Sequence, residues 1–282
     1  AGPMPRTVAD TAALLTALAG SDPADPATRE ADAKKTDYLK ALDRNALKGA
    51  RIGVWHPFRG ASPQTDAIFD AAVKTLEAQG AVLVQLAGPE DTAMAKVREL
   101  EGELLRAEFK AAVDTAVKTR TLADLIAFNA AEPRETALFG QEIFIASQAS
   151  PPITTRPYLD KRATARRLSR EQLDNMLVKN TLAAVVAPSG GPPAIVDPVN
   201  GGRFFGSPST LPAVSGYPHL TVPAGHASGL PVGISFIGPA WSEPKLLALG
   251  YAYEQASKAR REPEFLPEVG ARPEIARAYD PS

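Results

Sequence analysis

Residues 51–86, RIGVWHPFRGASPQTDAIFDAAVKTLEAQGAVLVQL, decide the fold class that this sequence predicts. Apolar residues at 52–55 and alternating apolar residues at 82–86 predict two short strands. Between them, Ser62 followed by Pro63 supplies a cap and a proline at the first position of a helix. A strand, a helix and a second strand in this order predict a parallel pair joined by a right-handed crossover.

Three further apolar segments predict the rest of the sheet. Residues 183–187, 220–222 and 232–237 are short, apolar and bounded by glycine and proline, which is typical of buried central strands. Residues 90–149 predict two or three helices, and residues 158–179 predict one long helix. The sequence therefore predicts an α/β fold, with a mixed, largely parallel sheet that is covered by helices on both faces.

The long helix predicted over 158–179 has a basic outer face. A solvated surface and a binding face both explain such a run of charges. The whole chain has 31 Lys+Arg and 32 Asp+Glu, so its net charge of -1 gives no reason to expect nucleic acid or an anionic membrane as partner. Neutral small molecules or peptides fit this balance better. The basic residues of the helix are Lys161, Arg162, Arg166, Arg167 and Arg170.

The composition excludes several kinds of chemistry. The absence of cysteine excludes disulfides, thiolate zinc sites, iron–sulfur ligation and a cysteine nucleophile. No apolar run reaches the roughly 20 residues that span a bilayer, and the N-terminus has no signal-peptide pattern. Cytoplasm and periplasm both remain open as compartments.

The residues that most often carry catalysis do not form a constellation with the spacing that catalysis requires. His56, His219 and His226 show no metal-ligand spacing, so we expect backbone or water to satisfy each ring, and we expect no metal site. Ser242 and Lys245 fit a Ser-x-x-Lys pattern that can hold a serine nucleophile. Ser242 is equally explained as the N-cap of the last helix.

Three glutamates of a helix predicted over 132–149, Glu132, Glu135 and Glu142, also leave two explanations open. Glu135 and Glu142 are placed seven residues apart, so they would share one face of that helix. Paired carboxylates serve in acid–base catalysis, whereas most glutamates on a helix surface are simply solvated.

Glycine-rich stretches mark a candidate ligand pocket. Ser189, Gly190 and Gly191 directly follow a predicted buried strand, and ligands of α/β proteins bind beyond the carboxyl ends of strands. Glycines there let a ligand approach the backbone, although a tight turn is an equal explanation. Neither this stretch nor residues 200–202 has the spacing of a dinucleotide or phosphate loop, so nucleotide binding is not predicted.

Four segments together resemble the C-terminal end of amidase signature enzymes. They are residues 208–225 (PSTLPAVSGYPHLTVPAG), 229–238 (GLPVGISFIG), 253–256 (YEQA) and 1–10 (AGPMPRTVAD). Within that family, the chain looks most like the bacterial peptide amidases, which release ammonia from C-terminal peptide amides. The second resemblance rests on residues 139–142 (FGQE), on the basic helix and on residues 187–192 (APSGGP).

The resemblance implies amide hydrolysis through an acyl-enzyme. The family uses a serine nucleophile, a second serine on a cis peptide as proton relay, and a lysine as base. In the family these residues precede the segment that residues 1–10 resemble, and no stretch here matches a Gly-Ser-Ser-Ser-Gly-Gly core, so no catalytic residue is carried over. The resemblance therefore implies that this chain alone is inactive, needs an N-terminal catalytic half as partner, and uses neither a metal nor a cofactor.

The resemblance also implies a substrate pocket. In the family, the loop after the buried strand and the turn before a short helix at 210–216 border the substrate channel. Glycine and serine stand here where several relatives place acidic or bulkier groups, which leaves the small-molecule or peptide amide substrate open. The substrate-pocket candidates are Pro188, Ser189, Gly190, Gly191, Gly206, Ser207 and Ser209.

The resemblance covers nearly the whole chain, so residues 1–282 are expected to be the C-terminal part of a single amidase domain, with an irregular tail over 262–282. The opening Ala1-Gly2-Pro3 is interpreted as a cut. An isolated part of this kind would expose a sheet edge. A rival hypothesis is a non-catalytic amidase-like interaction or scaffold domain, and a third is an independent serine hydrolase built on Ser242 and Lys245.

Overall fold

The computed structural model describes residues 2–194, 202, 204–263 and 265. The strands of this part of the chain are β1 (Arg51–Val54), β2 (Val82–Gln85), β3 (Ala184–Pro188), β4 (His219–Ala227) and β5 (Leu230–Ile237). Its helices are α1 (Val8–Leu18), α2 (Ala31–Lys34), α3 (Pro63–Ala78), α4 (Asp91–Ala116), α5 (Leu122–Ala131), α6 (Glu142–Gln148), α7 (Arg156–Leu177), α8 (Thr210–Ser215) and α9 (Glu243–Ser257). Two 3₁₀ turns, Pro26–Thr28 and Tyr38–Ala41, lie between α1 and β1.

The five strands form one sheet in the order β2-β1-β3-β5-β4. The first strand, β1, pairs in parallel with β2 on one side and with β3 on the other. The fifth strand, β5, is antiparallel to both β3 and β4. Four of the five strands therefore run in one direction, which confirms the predicted mixed and largely parallel sheet.

The unit β1-α3-β2 forms as its sequence predicts. Ser62 caps α3, because its hydroxyl accepts a hydrogen bond from the backbone N–H of Thr65, and Pro63 occupies the first helical position. Gly80 has φ +88, a left-handed conformation that glycine adopts without strain, and it turns the chain into β2. The helix then packs on the sheet through Phe69 and Leu76, both almost fully buried.

Helices cover both faces of the sheet, as predicted. Successive residues of β3 point to opposite faces, so Ala184 and Val186 join a core with α1, α3 and α9, whereas Val185 and Ala187 join a core with α4, α7 and α8. Helices α4 and α7 also pack on each other through a third apolar cluster that includes Leu100. No helix of the described residues is both long enough and apolar enough to cross a membrane.

The fourth strand corrects the prediction of three buried central strands. In the described part of the chain, β4 lies at one edge of the sheet, and Thr221 is exposed. It forms a hairpin with β5 through Ser228 and Gly229, which both have positive φ, at 47° and 76°. Two successive residues of positive φ give the tight turn that matches the twist of antiparallel strands. The segment 220–222 is short and apolar, so its sequence does not show whether it forms an edge strand or a central one.

Of two other predictions, one is wrong and one falls mostly outside the described residues. The helix predicted over 132–149 is limited to α6, so Glu135 lies outside it and shares no helical face with Glu142. Proline at 133 and glycine at 140 disfavour a continuous helix there. The predicted irregular tail, residues 262–282, lies outside the described residues except for 262, 263 and 265.

Candidate substrate pocket

The loop after β3 lies at the carboxyl end of this central strand, where the parallel strands also end. Pro188 is the last residue of β3 and is buried, and Ser189, Gly190 and Gly191 are partly exposed. The backbone N–H of Ser189 donates to the carbonyl of Gly233 at 2.9 Å, which extends the pairing of β3 with β5 by one residue. The start of the loop is therefore held in register by the sheet.

The second predicted loop meets the first through its glycines. A Cβ atom on Gly190 would lie 3.5 Å from the carbonyl oxygen of Gly206, and one on Gly191 would lie 2.6 Å from the side chain of Phe205. Gly206 itself has φ +101, and a Cβ atom there would lie 2.9 Å from Phe58. The close approach of the two loops therefore depends on glycine at 191, where a side chain would collide with Phe205, whereas the 3.5 Å at Gly190 is an ordinary contact.

Ser207 and Ser209 form the turn that leads into α8. The hydroxyl of Ser207 donates to that of Ser209 at 3.0 Å, and the backbone N–H of Ser209 donates to the hydroxyl of Ser207 at 3.2 Å. The next residue, Thr210, donates its hydroxyl proton to Glu101 of α4 at 3.1 Å. The structure thus brings the seven predicted residues into two adjoining loops, one after β3 and one before α8.

A polar network on the sheet includes Ser189 of the candidate pocket loops, and the sequence did not predict it. The Nε2 atom of His219 lies 2.6 Å from the hydroxyl of Ser235, which lies 2.8 Å from the hydroxyl of Ser189. Thr221 is the register partner of Ser235 on β4, and its hydroxyl accepts from Ser189 at 3.4 Å. A signal was present, because Thr221 and Ser235 interrupt two apolar strands with polar side chains.

Two histidines have side-chain partners, which corrects the expectation that backbone or water satisfies them. His219 contacts Ser235, and burial lowers the pKa of its imidazole. His56 follows β1, and its Nε2 atom lies 2.8 Å from Asp66 without the alignment of a hydrogen bond. Burial lowers the pKa of His56, as does the charge of Arg59, whereas Asp66 has the opposite effect. Both rings are therefore favoured in the neutral form.

The residues considered for catalysis by this chain alone, the Ser242 and Lys245 pair and the glutamates, do not form a catalytic arrangement. The hydroxyl of Ser242 donates to the carbonyl of Pro239 at 2.7 Å, and it neither caps α9 nor bonds to Lys245. Ser242 occupies the N-cap position of α9 as predicted, but its side chain makes no capping hydrogen bond, because at φ -95 and ψ 15 it lacks the extended backbone of a capping residue. Glu132 forms an ion pair with Arg134. The described residues contain no group of acidic residues and histidines that would hold a metal ion.

A cavity of about 550 Å³ lies beside the first residues of β4. His219 and Thr221 form one side of it, and Met4 and Leu15 form another. Met4 is 86% exposed, so this apolar surface is open to solvent in the described part of the chain. The cavity adjoins the polar network, because both include His219 and Thr221.

Comparisons with known proteins show the family and agree with the fold. The family model described as Amidase matches residues 1–247. The chain belongs to the amidase family. It is 33% identical to a probable amidase of Arabidopsis thaliana, over 94% of this chain and 50% of that protein.

Two solved structures are similar over most of the chain. The native peptide amidase of Stenotrophomonas maltophilia is 41% identical with a TM-score of 0.78, and the match covers 94% of this chain and 54% of that one. The peptide amidase PAM, in complex with the competitive inhibitor chymostatin, is 42% identical with a TM-score of 0.82, over 94% of this chain and 55% of that one. The resemblance to amidases, and to peptide amidases among them, is confirmed. The chain spans about half the length of the curated relatives it matches.

Proposed function

We propose that the natural gene product that carries this chain is an amidase that hydrolyses linear amides, with C-terminal peptide amides as the substrate class. The observation that carries the proposal is the approach of two glycine- and serine-rich loops at the carboxyl end of β3, in a chain of the amidase family. Ligands of α/β proteins bind at this end of the strands.

The chemistry of the two loops supports a neutral, extended substrate. None of the seven pocket candidates carries an ionisable side chain, so nothing in them would pair with a charged head group. Gly190 and Gly191 expose backbone that is able to exchange hydrogen bonds with peptide groups. The serine hydroxyls of the pocket provide both donors and acceptors, which an amide requires.

We place the catalytic groups outside this chain, in an N-terminal half that provides a Ser-cisSer-Lys mechanism. Two facts support this part of the proposal. Within the described residues no serine hydroxyl bonds to a lysine, and the chain covers 50% of the length of its Arabidopsis thaliana relative. The Ser-cisSer-Lys mechanism needs a lysine base within hydrogen-bond reach of a serine, and the described residues show no such pair. This chain alone is therefore expected to be inactive.

The free edge of β4 is where we expect the catalytic half to pair. Within the described residues no strand bonds to the outer edge of this nine-residue strand. A long unpaired edge is a template for another strand, and isolated proteins usually protect it. The 550 Å³ cavity with exposed Met4 adjoins the same strand. Covering this edge would bring the catalytic half next to the polar network and the pocket.

Ammonia release by the natural gene product tests the proposal. The purified protein is incubated with a blocked dipeptide amide, with the same dipeptide as its free acid, and with a simple aliphatic amide. We expect ammonia from the dipeptide amide and none from the free acid, which has no terminal amide to hydrolyse. Residues 1–282 expressed alone are the matched control, and we expect no ammonia from them.

The intact mass of the natural gene product separates the rival explanation. A mass that matches these 282 residues, together with no ammonia from any amide, would favour the non-catalytic interaction or scaffold domain. Ammonia release by residues 1–282 alone would instead show that the catalytic groups lie within this chain. A larger product that hydrolyses only the simple amide would retain the amidase and reject peptide amides as its substrates.

A further inference from the structure

Four polar side chains form a continuous line on one face of the sheet, from the β4 edge to the pocket loop. The line begins at His219, passes through the hydroxyl of Ser235 at 2.6 Å, and reaches the hydroxyl of Ser189 after a further 2.8 Å. Ser189 in turn donates to Thr221 at 3.4 Å, a long and weak bond. Ser189 is therefore held at 2.8 Å by Ser235 and only weakly by Thr221, and it is partly exposed at the start of the candidate pocket loop.

The residues around these four side chains favour this arrangement. Ser235 is fully buried, so an unpaired hydroxyl there would be costly. Gly233 lies beside Ser189 on the neighbouring strand, and a Cβ atom on that glycine would lie 3.0 Å from the Ser189 hydroxyl and 2.8 Å from Thr221. A side chain at 233 would push the Ser189 hydroxyl away from Ser235.

The proton on His219 decides what Ser189 offers to a ligand. Ser235 has one hydroxyl proton, which it gives either to His219 or to Ser189. If Nε2 of His219 carries a proton and donates it, Ser235 must donate to Ser189, and the proton of Ser189 is left to point outward. If Nε2 accepts instead, Ser189 must donate inward and presents lone pairs to the pocket. Glu243 of α9 is a charged residue that lines the cavity of about 550 Å³ to which His219 also contributes.

We propose that His219 is a positioning residue that donates from Nε2 to Ser235, and that Ser235 thereby holds Ser189 as a hydrogen-bond donor to the bound amide substrate. The donation from Ser189 to Thr221 is the direction that this arrangement requires. Thr221 is a weak and exposed acceptor, which a carbonyl oxygen of a substrate would replace. The role of Ser189 toward substrate rests on the proposed amidase function.

Nitrogen NMR of the imidazoles tests the line without any activity. The experiment uses the natural gene product, and the His219 signal is identified as the one lost in His219→Gln. We expect the protonated ring nitrogen of His219 to be Nε2, and we expect Ser235→Ala to move this signal while His56 and His226 stay in place. Ser169→Ala is the matched control, because it also removes a fully buried serine hydroxyl but lies on α7.

Steady-state kinetics of the natural gene product on a peptide amide test the role of the line. We expect Ser189→Ala, Ser235→Ala and His219→Leu each to raise KM about fivefold, the value of one hydrogen bond, with kcat within about twofold. His219→Gln keeps an N–H donor and should stay near the KM of the natural protein. Because Ser235 acts through Ser189, Ser235→Ala should add nothing in a Ser189→Ala background.

Distinct outcomes overturn the inference and the proposed function. A His219 ring protonated on Nδ1, or a signal that Ser235→Ala moves no more than Ser169→Ala does, overturns the inference whatever the activity. Additive effects of Ser189→Ala and Ser235→Ala on KM overturn the action through Ser189. A gene product that hydrolyses no amide overturns the proposed function and the substrate role of Ser189, while the NMR experiment still decides whether His219 orients Ser235.

Discussion

The backbone N–H of Val8 donates to the carboxylate of Glu254 at 2.9 Å, across 246 positions of sequence. Val8 is the first residue of α1, and Glu254 belongs to the last turn of α9. A carboxylate at the start of a helix satisfies a free N–H and opposes the positive end of the helix dipole. This bond fastens the first helix to the last one on the same face of the sheet.

Replacement of Glu254 by alanine should therefore destabilise the fold. We expect a loss of about 1–2 kcal/mol in the free energy of unfolding, because a charged acceptor and its dipole interaction both disappear. Urea denaturation of the natural gene product measures it. Glu77→Ala is the matched control, since Glu77 is exposed on α3, and we expect it to change stability by less than about 0.5 kcal/mol. Equal effects of the two variants would contradict the role of Glu254.

Gly206→Ala and Gly102→Ala should have effects of opposite sign. Gly206 has φ +101 and lies against Phe58, so an added methyl group meets both backbone strain and a contact of 2.9 Å. We expect Gly206→Ala to cost about 1–3 kcal/mol. Gly102 lies inside α4, where a Cβ atom would be 3.5 Å from Arg106, and alanine should gain up to about 1 kcal/mol. Thermal unfolding compares the two, and a neutral Gly206→Ala would mean that Phe58 and the backbone at 206 can adjust to the added methyl group.

Arg170 should contribute more to stability than its neighbour Arg167. Arg170 donates from Nε to the carbonyl of Ser215 at 3.0 Å, and its guanidinium lies 5.6 Å from the ring centre of Tyr217. We expect Arg170→Ala to cost about 1–2 kcal/mol. Arg167 forms an exposed pair with Glu171 on the same helix, and Arg167→Ala should cost less than about 0.5 kcal/mol. Chemical denaturation of both variants decides between this contact and a merely solvated basic face.

Tyr158 should make stability depend on pH in the alkaline range. Burial, followed by its hydrogen bond to Glu108, raises the pKa of Tyr158 from 10.0 to about 12. The folded protein therefore keeps a proton that the unfolded chain loses, and this contribution to stability is full below pH 10.0 and lost as pH rises toward about 12.

The variant Tyr158→Phe isolates this effect. It should be about 1 kcal/mol less stable than the natural protein at neutral pH, because the bond to Glu108 is lost. Between pH 10.0 and about 12 the difference between the two proteins should shrink, as measured by their free energies of unfolding. A difference that stays constant across this range would mean that Tyr158 ionises equally easily in the folded and unfolded chains.

Local signals were sufficient for most of the fold. Ser62-Pro63 marks the start of α3 because capping and the proline ring act within a few residues. The threonine at 7 caps α1 for the same reason, with its hydroxyl accepting from the N–H of Asp10. In contrast, Ser242 occupies the N-cap position of α9 without capping it through its side chain, because its hydroxyl donates to the carbonyl of Pro239 instead.

The candidate site was predicted only in part. The loops at Ser189–Gly191 and Gly206–Ser209 were found from glycines that follow a buried strand, and from a resemblance to a family. Neither signal gives a distance between the loops. The network of His219 and Ser235 was missed, because it joins residues 16 positions apart on two strands whose pairing register the sequence did not provide.

The sequence by itself determined the elements and their class: apolar periodicity, caps and glycine breaks are local, and they select strands and helices before any long-range contact forms. Only the tertiary structure decided that β4 lies at the edge of the described sheet, that Gly190 faces Gly206, and that a buried hydroxyl links His219 to Ser189. Such relationships depend on how the sheet pairs and on which side chains fit between strands, and packing of the whole chain fixes both.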